Sequence, residues 1–305
     1  MVENMKIFQN IKRLAYKIFR RTKAFYQKTP ARPGAKTFFK LQRCAHNVLW
    51  PIQIGGNQHI EDKIWKMLYN QKYGHLNPPL RIIATQDAAY DSWDYKEPRG
   101  GIYDNNLNRK FNVQLYSLFE YKPDLKVLDL GCAGGAFVKS FLEDGFTAVG
   151  IEGSIVAREF RLHEWDTIPL HLFTADISLP FQVIDCANNK RILFDCITSW
   201  DVLEHIREDR IERLIENITA HLQSSGIFVA SIDTLPDSDP TQGIDYHLTV
   251  HEKDWWIEKF REKGLVPLDS HPFEVRDFVR GNGLSLKDWD PDDGHGFHVV
   301  LRKAS

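Results

Sequence analysis

Apolar residues recur along this chain with two different periods, and the change from one to the other marks its organisation. In the first segment Ile7, Phe8, Ile11, Leu14, Ala15, Ile18 and Phe19 fall at i, i+3, i+4 spacing, while Lys6, Lys12, Arg13, Lys17, Arg20, Arg21 and Lys23 fill much of the remainder. The spacing predicts a basic amphipathic helix that ends before Pro30 and the breaker Ala31-Arg32-Pro33-Gly34. Such a helix either docks on the rest of the protein or lies on a membrane surface. Residues 41–120 are mixed and aromatic; apolar spacing there predicts helices over 58–72 and 108–119, with polar-aromatic loops at 90–95 and 100–106.

From Lys126 onward short apolar runs alternate with helical stretches. Strands are expected over 127–130, 148–151, 171–174, 194–199 and 227–232. Helical stretches lie between them, the clearest over 207–222 and closed by Ser224-Ser225-Gly226. A helix over 255–263 then precedes strand candidates at 265–268 and 297–301. This alternation predicts an α/β fold, a mostly parallel sheet covered on both faces, with five parallel strands and a final pair. The expected organisation is a basic arm over 1–40, a helical and loop cap over 41–120 and a catalytic domain over 121–305.

Composition sharpens this division. The 305 residues carry 43% hydrophobic residues and a net charge of −2, which fits a globular protein and excludes a disordered one. The small net charge hides a split: residues 1–40 hold 11 basic residues and one acid, leaving 28 basic and 40 acidic residues in the remainder. A basic arm on an acidic body points to contact with a phosphate-rich surface, lipid or nucleic acid. Four cysteines without C-x-x-C spacing make neither a disulfide scaffold nor a structural zinc site, so a reducing, cytoplasmic setting is expected. No apolar run reaches membrane-spanning length and the first residues show no apolar h-region, so neither a membrane span nor a secretory leader is expected.

The chemistry concentrates at the ends of the expected strands. The first ends in Asp129-Leu130-Gly131-Cys132-Ala133-Gly134-Gly135, where glycines allow a sharp turn into a helix and close approach of a ligand. A dinucleotide fingerprint would read G-x-G-x-x-G; this turn instead places an acid two residues before its first glycine, and a carboxylate suits a ligand with an ammonium group. The turn resembles the first motif of class I S-adenosylmethionine-dependent methyltransferases, with Ala133 in place of the usual middle glycine. That resemblance implies a Rossmann-like, seven-stranded methyltransferase sheet over 121–305, with the last strand antiparallel and a helical extension before it. It implies S-adenosyl-L-methionine as cofactor, its methionine end on Asp129, Gly131, Ala133 and Gly135. Glu152 would take the ribose hydroxyls, and Asp176 and Ile177 the adenine edge and ring. Trp200 and the following Asp201-Val202-Leu203-Glu204-His205 would border the transferred methyl, in a segment similar to the D-x-L-E-H signature of small-molecule methyltransferases.

Asp201-x-x-Glu204-His205 is also similar to the E-x-x-E-H metal set of RNA 3′-terminal 2′-O-methyltransferases and ubiquinone-pathway O-methyltransferases. Those families add a later histidine, a place that His247 or His251 could fill; capping of the next helix explains the same residues, and no metal is assigned. An imidazole can remove a hydroxyl proton, and His247, in the loop after the fifth strand, ranks first as base before Asp201, His205 and His251. Asp288-Trp289-Asp290-Pro291-Asp292-Asp293-Gly294 breaks the EF-hand pattern and reads as an acidic turn.

The expected activity is O-methylation of a sugar or lipid-linked glycan, with residues 1–30 in peripheral contact with an anionic membrane at the inner face. RNA methylation by a phosphate-tracking arm and a non-catalytic cofactor-binding module are the alternatives. The acidic body argues against nucleic acid as a partner.

Overall fold

The structure is a computed structural model that describes residues 58–73, 78–96, 102–241, 243–280 and 296–304. The basic arm over 1–40 and the acidic turn at 288–294 lie outside the described residues. Upstream of the expected sheet come α1 (Gln58–Tyr73), β1 (Leu80–Ala84), α2 (Trp93–Lys96) and α3 (Arg109–Leu118). Then follow β2 (Lys126–Leu130), α4 (Ala136–Glu143), β3 (Thr147–Glu152), α5 (Val156–Glu159), β4 (Leu172–Thr174), β5 (Phe181–Asp185), β6 (Lys190–Arg191) and β7 (Phe194–Trp200). The remainder is α6 (Glu208–His221), β8 (Leu222–Ile232), β9 (Ser238–Asp239), β10 (Ile244–Asp245), α7 (Lys253–Glu262), β11 (Leu265–Pro267) and β12 (Phe297–Lys303).

Seven strands form one sheet in the order β11-β12-β8-β7-β2-β3-β4. The five from β8 to β4 run parallel, and β12 runs antiparallel to both β8 and β11. All seven residues of β7 are buried, the polar Asp195, Thr198 and Ser199 included, as a strand covered on both faces requires, and this is why these strands read as apolar-rich runs without polar alternation. On one face Ile211, Leu214, Ile215 and Ile218 of α6 lie at helical spacing and join Leu128, Ile197 and Trp256 in the core. On the other, Phe111 of α3 meets Phe137 of α4 at 5.6 Å and Trp200 edge-on at 5.3 Å.

Three local expectations are corrected. Between β4 and β7 there is no helix: β5 and β6 form a hairpin, and β5 pairs antiparallel with β1 from Ala84↔Phe181 to Leu80↔Asp185. The β1 side chains alternate buried and exposed, the period of a one-sided sheet, in a stretch where helical spacing and aromatic loops dominate the reading. Residues 224–226 do not stop a helix; α6 gives way directly to β8 at Leu222, and Ser224 and Ser225 are exposed strand residues. Gly226 is small for another reason, since a Cβ there would lie 2.9 Å from the Phe194 carbonyl. Finally, the loop expected at 90–95 contains the one-turn helix α2.

Candidate active site

The strand order reverses between β2 and β7, and ligands in such sheets bind outside the carboxyl ends of the strands at that reversal. Register delivers the chemistry there: Leu130 lies opposite both Ile151 and Ser199, so Gly131, Glu152 and Trp200 emerge together. They line a cavity of about 320 Å³, within the usual size of a small-molecule site.

The glycine turn forms its floor. Gly131 has φ +76°, and a Cβ there would lie 2.2 Å from a methyl of Val202. Gly135, at φ +90°, starts α4 and does not line the cavity. Ala133 stands at φ +45°, a left-handed conformation that costs an alanine about 1–2 kcal/mol. Two bonds hold it: its N–H donates to Glu152 Oε2 at 2.9 Å, and its carbonyl accepts from Trp165 Nε1 at 2.8 Å. The departure from glycine is thereby accommodated without opening the turn.

Asp129 also lies off the cavity, 2% exposed beneath the turn, with its Oδ1 accepting from Thr198 Oγ1 at 2.7 Å. Burial raises its pKa from 3.8 to about 7, opposed by the Thr198 bond and assisted by the charge of Glu152. A raised carboxyl pKa means that the folded chain keeps a proton the unfolded chain releases. Its contribution to stability therefore falls as pH rises from about 4 towards about 7 and stays low above that. Thermal melts at pH 5.5 and 7.5 are expected to show a smaller drop for Asp129→Asn than for the parent; equal drops would assign the loss to other groups.

Glu152 is committed on both oxygens, Oε2 to Ala133 and Oε1 to the N–H groups of Gly153 at 2.9 Å and Ser154 at 3.2 Å. Asp176 is 3% exposed: Oδ1 accepts from the Ser178 backbone and hydroxyl, and Oδ2 pairs with Arg210 at 3.3 Å. Both acids line the cavity beside Ile177, and each is braced by its own backbone turn. The segment around α2, where the sequence predicts a loop only over 90–95, supplies Ala89, Ser92 and Tyr95 to the same wall. Arg210 reaches this loop as well, through Asp91 at 3.0 Å.

Beyond β7, Asp201 takes φ +53° and is pinned by Ser231, whose hydroxyl donates to its Oδ1 at 2.6 Å, and by Arg280 on Oδ2 at 2.5 Å. Burial pushes its carboxyl pKa up, with Arg280 opposing. Glu204 is wholly buried; its carboxyl is pushed up by burial and by Asp201, and its Oε2 has no partner among the described residues. The Glu204 carbonyl accepts from the N–H groups of Leu248 at 2.7 Å and Thr249 at 3.0 Å. These bonds stitch the loop carrying His247 against β7, so that the His205 and His247 rings meet edge-on at 4.8 Å. One ligand atom from each of Glu204, His205 and His247 falls within 4.8 Å of the others. His251 is elsewhere, paired with Glu208 at 2.9 Å and stacked on Trp255.

Asp201, His205 and His247 thus share one wall with Trp200, while Gly131, Ala133, Glu152, Asp176 and Ile177 line the rest. Arg280 is the residue that sequence reasoning missed; it stands far from every motif, and tertiary pairing with Asp201 and Asp104 brings it in. The residues present fit S-adenosylmethionine. Gly131 and Gly153 line the space without a side chain to hold a ligand off the backbone, and carboxylates surround the space that a cationic ligand would occupy.

Comparison with known proteins agrees. A family model described as "Methyltransferase domain" matches residues 103–271. The ubiquinone biosynthesis O-methyltransferase of Bartonella quintana is 26% identical over 123 residues, covering 40% of this chain and 46% of that protein. The protein of the same name from Hydrogenovibrio crunogenus is 26% identical over 132 residues, covering 42% and 50%. The chain spans about half the length of these curated relatives. A solved TehB-like SAM-dependent methyltransferase from Corynebacterium glutamicum superposes with a TM-score of 0.42 at 18% identity, covering 65% of this chain and 89% of its own. No helix among the described residues is long and apolar enough to cross a membrane. The family model spans more than half of the chain and contains the glycine turn, the β7 exit and the His247 loop: the chain belongs to the methyltransferase-domain family.

Proposed function

We propose that this enzyme methylates a hydroxyl oxygen, and that the acceptor is a sugar or a lipid-linked glycan. The observation that carries the hydroxyl reading is the meeting of His247 with His205 and Glu204 at the cavity wall. His247 Nδ1 donates to the Leu235 carbonyl at 2.5 Å, which leaves Nε2 with a lone pair. When bound, the cofactor supplies an electrophilic methyl group on a sulfonium. His247 accepts the hydroxyl proton as the acceptor oxygen attacks in line, and the Gly131 turn and Glu152 hold the reactants in register. Alignment of this kind can supply roughly 7–11 kcal/mol.

The lining supports a neutral, hydroxyl-rich acceptor. Asp233 and Asp237 would repel a polyanion and accept from sugar hydroxyls, which argues against RNA. The name of the curated relatives, ubiquinone biosynthesis O-methyltransferase, supports oxygen as the accepting atom. The basic arm would hold the enzyme at an anionic membrane.

The same three side chains favour a second reading. Two imidazoles and a carboxylate would suit a divalent transition metal, which would lower the pKa of an acceptor hydroxyl. Chelator-treated protein, given methyl-labelled cofactor and glycan, catechol and RNA acceptors, separates these readings. Label is expected in a glycan ether whether or not the protein is chelated. Label on nitrogen or carbon would overturn the hydroxyl reading, and a loss above tenfold on chelation, reversed by Mn²⁺ or Zn²⁺, would establish the metal.

A further inference from the structure

The cavity is strongly one-signed. Among its lining residues seven carry carboxylates, from Asp104 and Glu152 to Asp233 and Asp237, and Arg280 is the lysine or arginine that faces them. The amino-acid tail of S-adenosylmethionine is a zwitterion. Its ammonium has many acids to meet, whereas its carboxylate would face repulsion everywhere except beside that guanidinium.

We propose that Arg280 is the carboxylate-binding residue of this cavity and receives the α-carboxylate of the cofactor's amino-acid tail. Its position suits the role. Arg280 Nε pairs with Asp201 Oδ2 at 2.5 Å, and Nη2 pairs with Asp104 Oδ2 at 3.1 Å. Asp201 directly follows β7, and the Asp104 carbonyl accepts from the Gly134 N–H of the glycine turn at 2.9 Å. The guanidinium therefore bridges the strand exit and the segment bonded to the glycine turn, on the lining that Gly131 shares.

These two ion pairs use two of the five donors of a guanidinium, and the remaining donors have no partner among the described residues. An arginine fixed on one edge and open on the other is prepared for a two-point contact with a carboxylate. The segment that carries it is fixed too: the Asn108 side chain, at the start of α3, donates to the carbonyls of Arg276 and Phe278 at 2.9 Å each. A second donor lies close by. Trp200 lines the cavity, is 7% exposed, and packs against Phe278 at 6.1 Å; its Nε1 has no partner among the described residues. The carboxylates flanking Arg280 would accept the neighbouring ammonium, so that both charges of the tail meet their opposites.

The inference rests on the cofactor and is independent of the acceptor. Calorimetry with S-adenosylhomocysteine and with 5′-methylthioadenosine, which has no amino-acid tail, tests it on Arg280→Met and Arg280→Lys. Arg280→Met is expected to weaken S-adenosylhomocysteine about 10- to 100-fold, the scale of a lost charge-assisted bond, and Arg280→Lys to recover part of this. Methylthioadenosine should bind all three proteins within about twofold, which also shows that the site has folded. Equal weakening of both ligands would make Arg280 a strut between Asp104 and Asp201 and overturn the proposal. So would unchanged S-adenosylhomocysteine binding, the result expected if the guanidinium serves a carboxylate on the acceptor. A parent protein that bound neither ligand would instead contradict the cofactor.

Discussion

Replacing His247 by alanine is expected to lower the rate of methyl transfer by about 10²–10⁴-fold, the usual contribution of a positioned base, with little change in cofactor affinity. The imidazole is half-buried and its ring meets His205 and the Leu235 carbonyl, so its removal leaves the core intact and the melting temperature close to the parent's. Single-turnover transfer, measured beside S-adenosylhomocysteine binding, separates the two effects. A variant that retains more than a tenth of the rate would remove His247 from the chemistry and leave the hydroxyl proton to another group on that wall.

Gly131→Ala should be the most damaging single-methyl change in the cavity. The new Cβ would fall 2.2 Å from Val202 while the backbone holds φ +76°, so it meets both a clash and a disfavoured conformation. Overpacking costs about 1–3 kcal/mol and the left-handed conformation about 1–2 kcal/mol. Cofactor affinity is expected to fall by at least a hundredfold by calorimetry, because the turn must move to relieve the contact. Pairing the change with Val202→Ala removes the 2.2 Å contact, leaves the Val202 Cβ at 3.2 Å and keeps the backbone penalty, so the double variant should regain part of the stability. A single variant that binds normally would show that the ligand does not approach this turn.

The backbone signals carried most of the sheet into view. Residues such as Leu128 and Ile197 are buried on a strand covered from both sides, and their apolar runs announce it. The acids were legible as well, because Asp129, Glu152 and Asp176 each stand at the end of a strand that the pattern had located. What each carboxylate does was less legible. Asp129 is turned into the protein beneath the turn, and its partner Thr198 comes from another strand. Arg280 and Asn108 carried no local signal, since their roles arise from ion pairs and hydrogen bonds between segments distant in sequence. The β1 strand was hidden differently: its side chains alternate, but its partner β5 lies about a hundred residues downstream, and helical spacing nearby drew the reading.

That pairing bears on where the chain can be cut. In a fragment beginning at residue 121, β5 would keep only its short contact with β6, and the N–H and C=O groups facing β1 would become an open edge. Such an edge, carrying the buried Phe181, Val183 and Ile184, is a template for pairing between molecules. A soluble truncation would therefore have to begin before Leu80, which makes this small sheet part of the minimal unit to express even though it stands apart from the seven strands that bear the site.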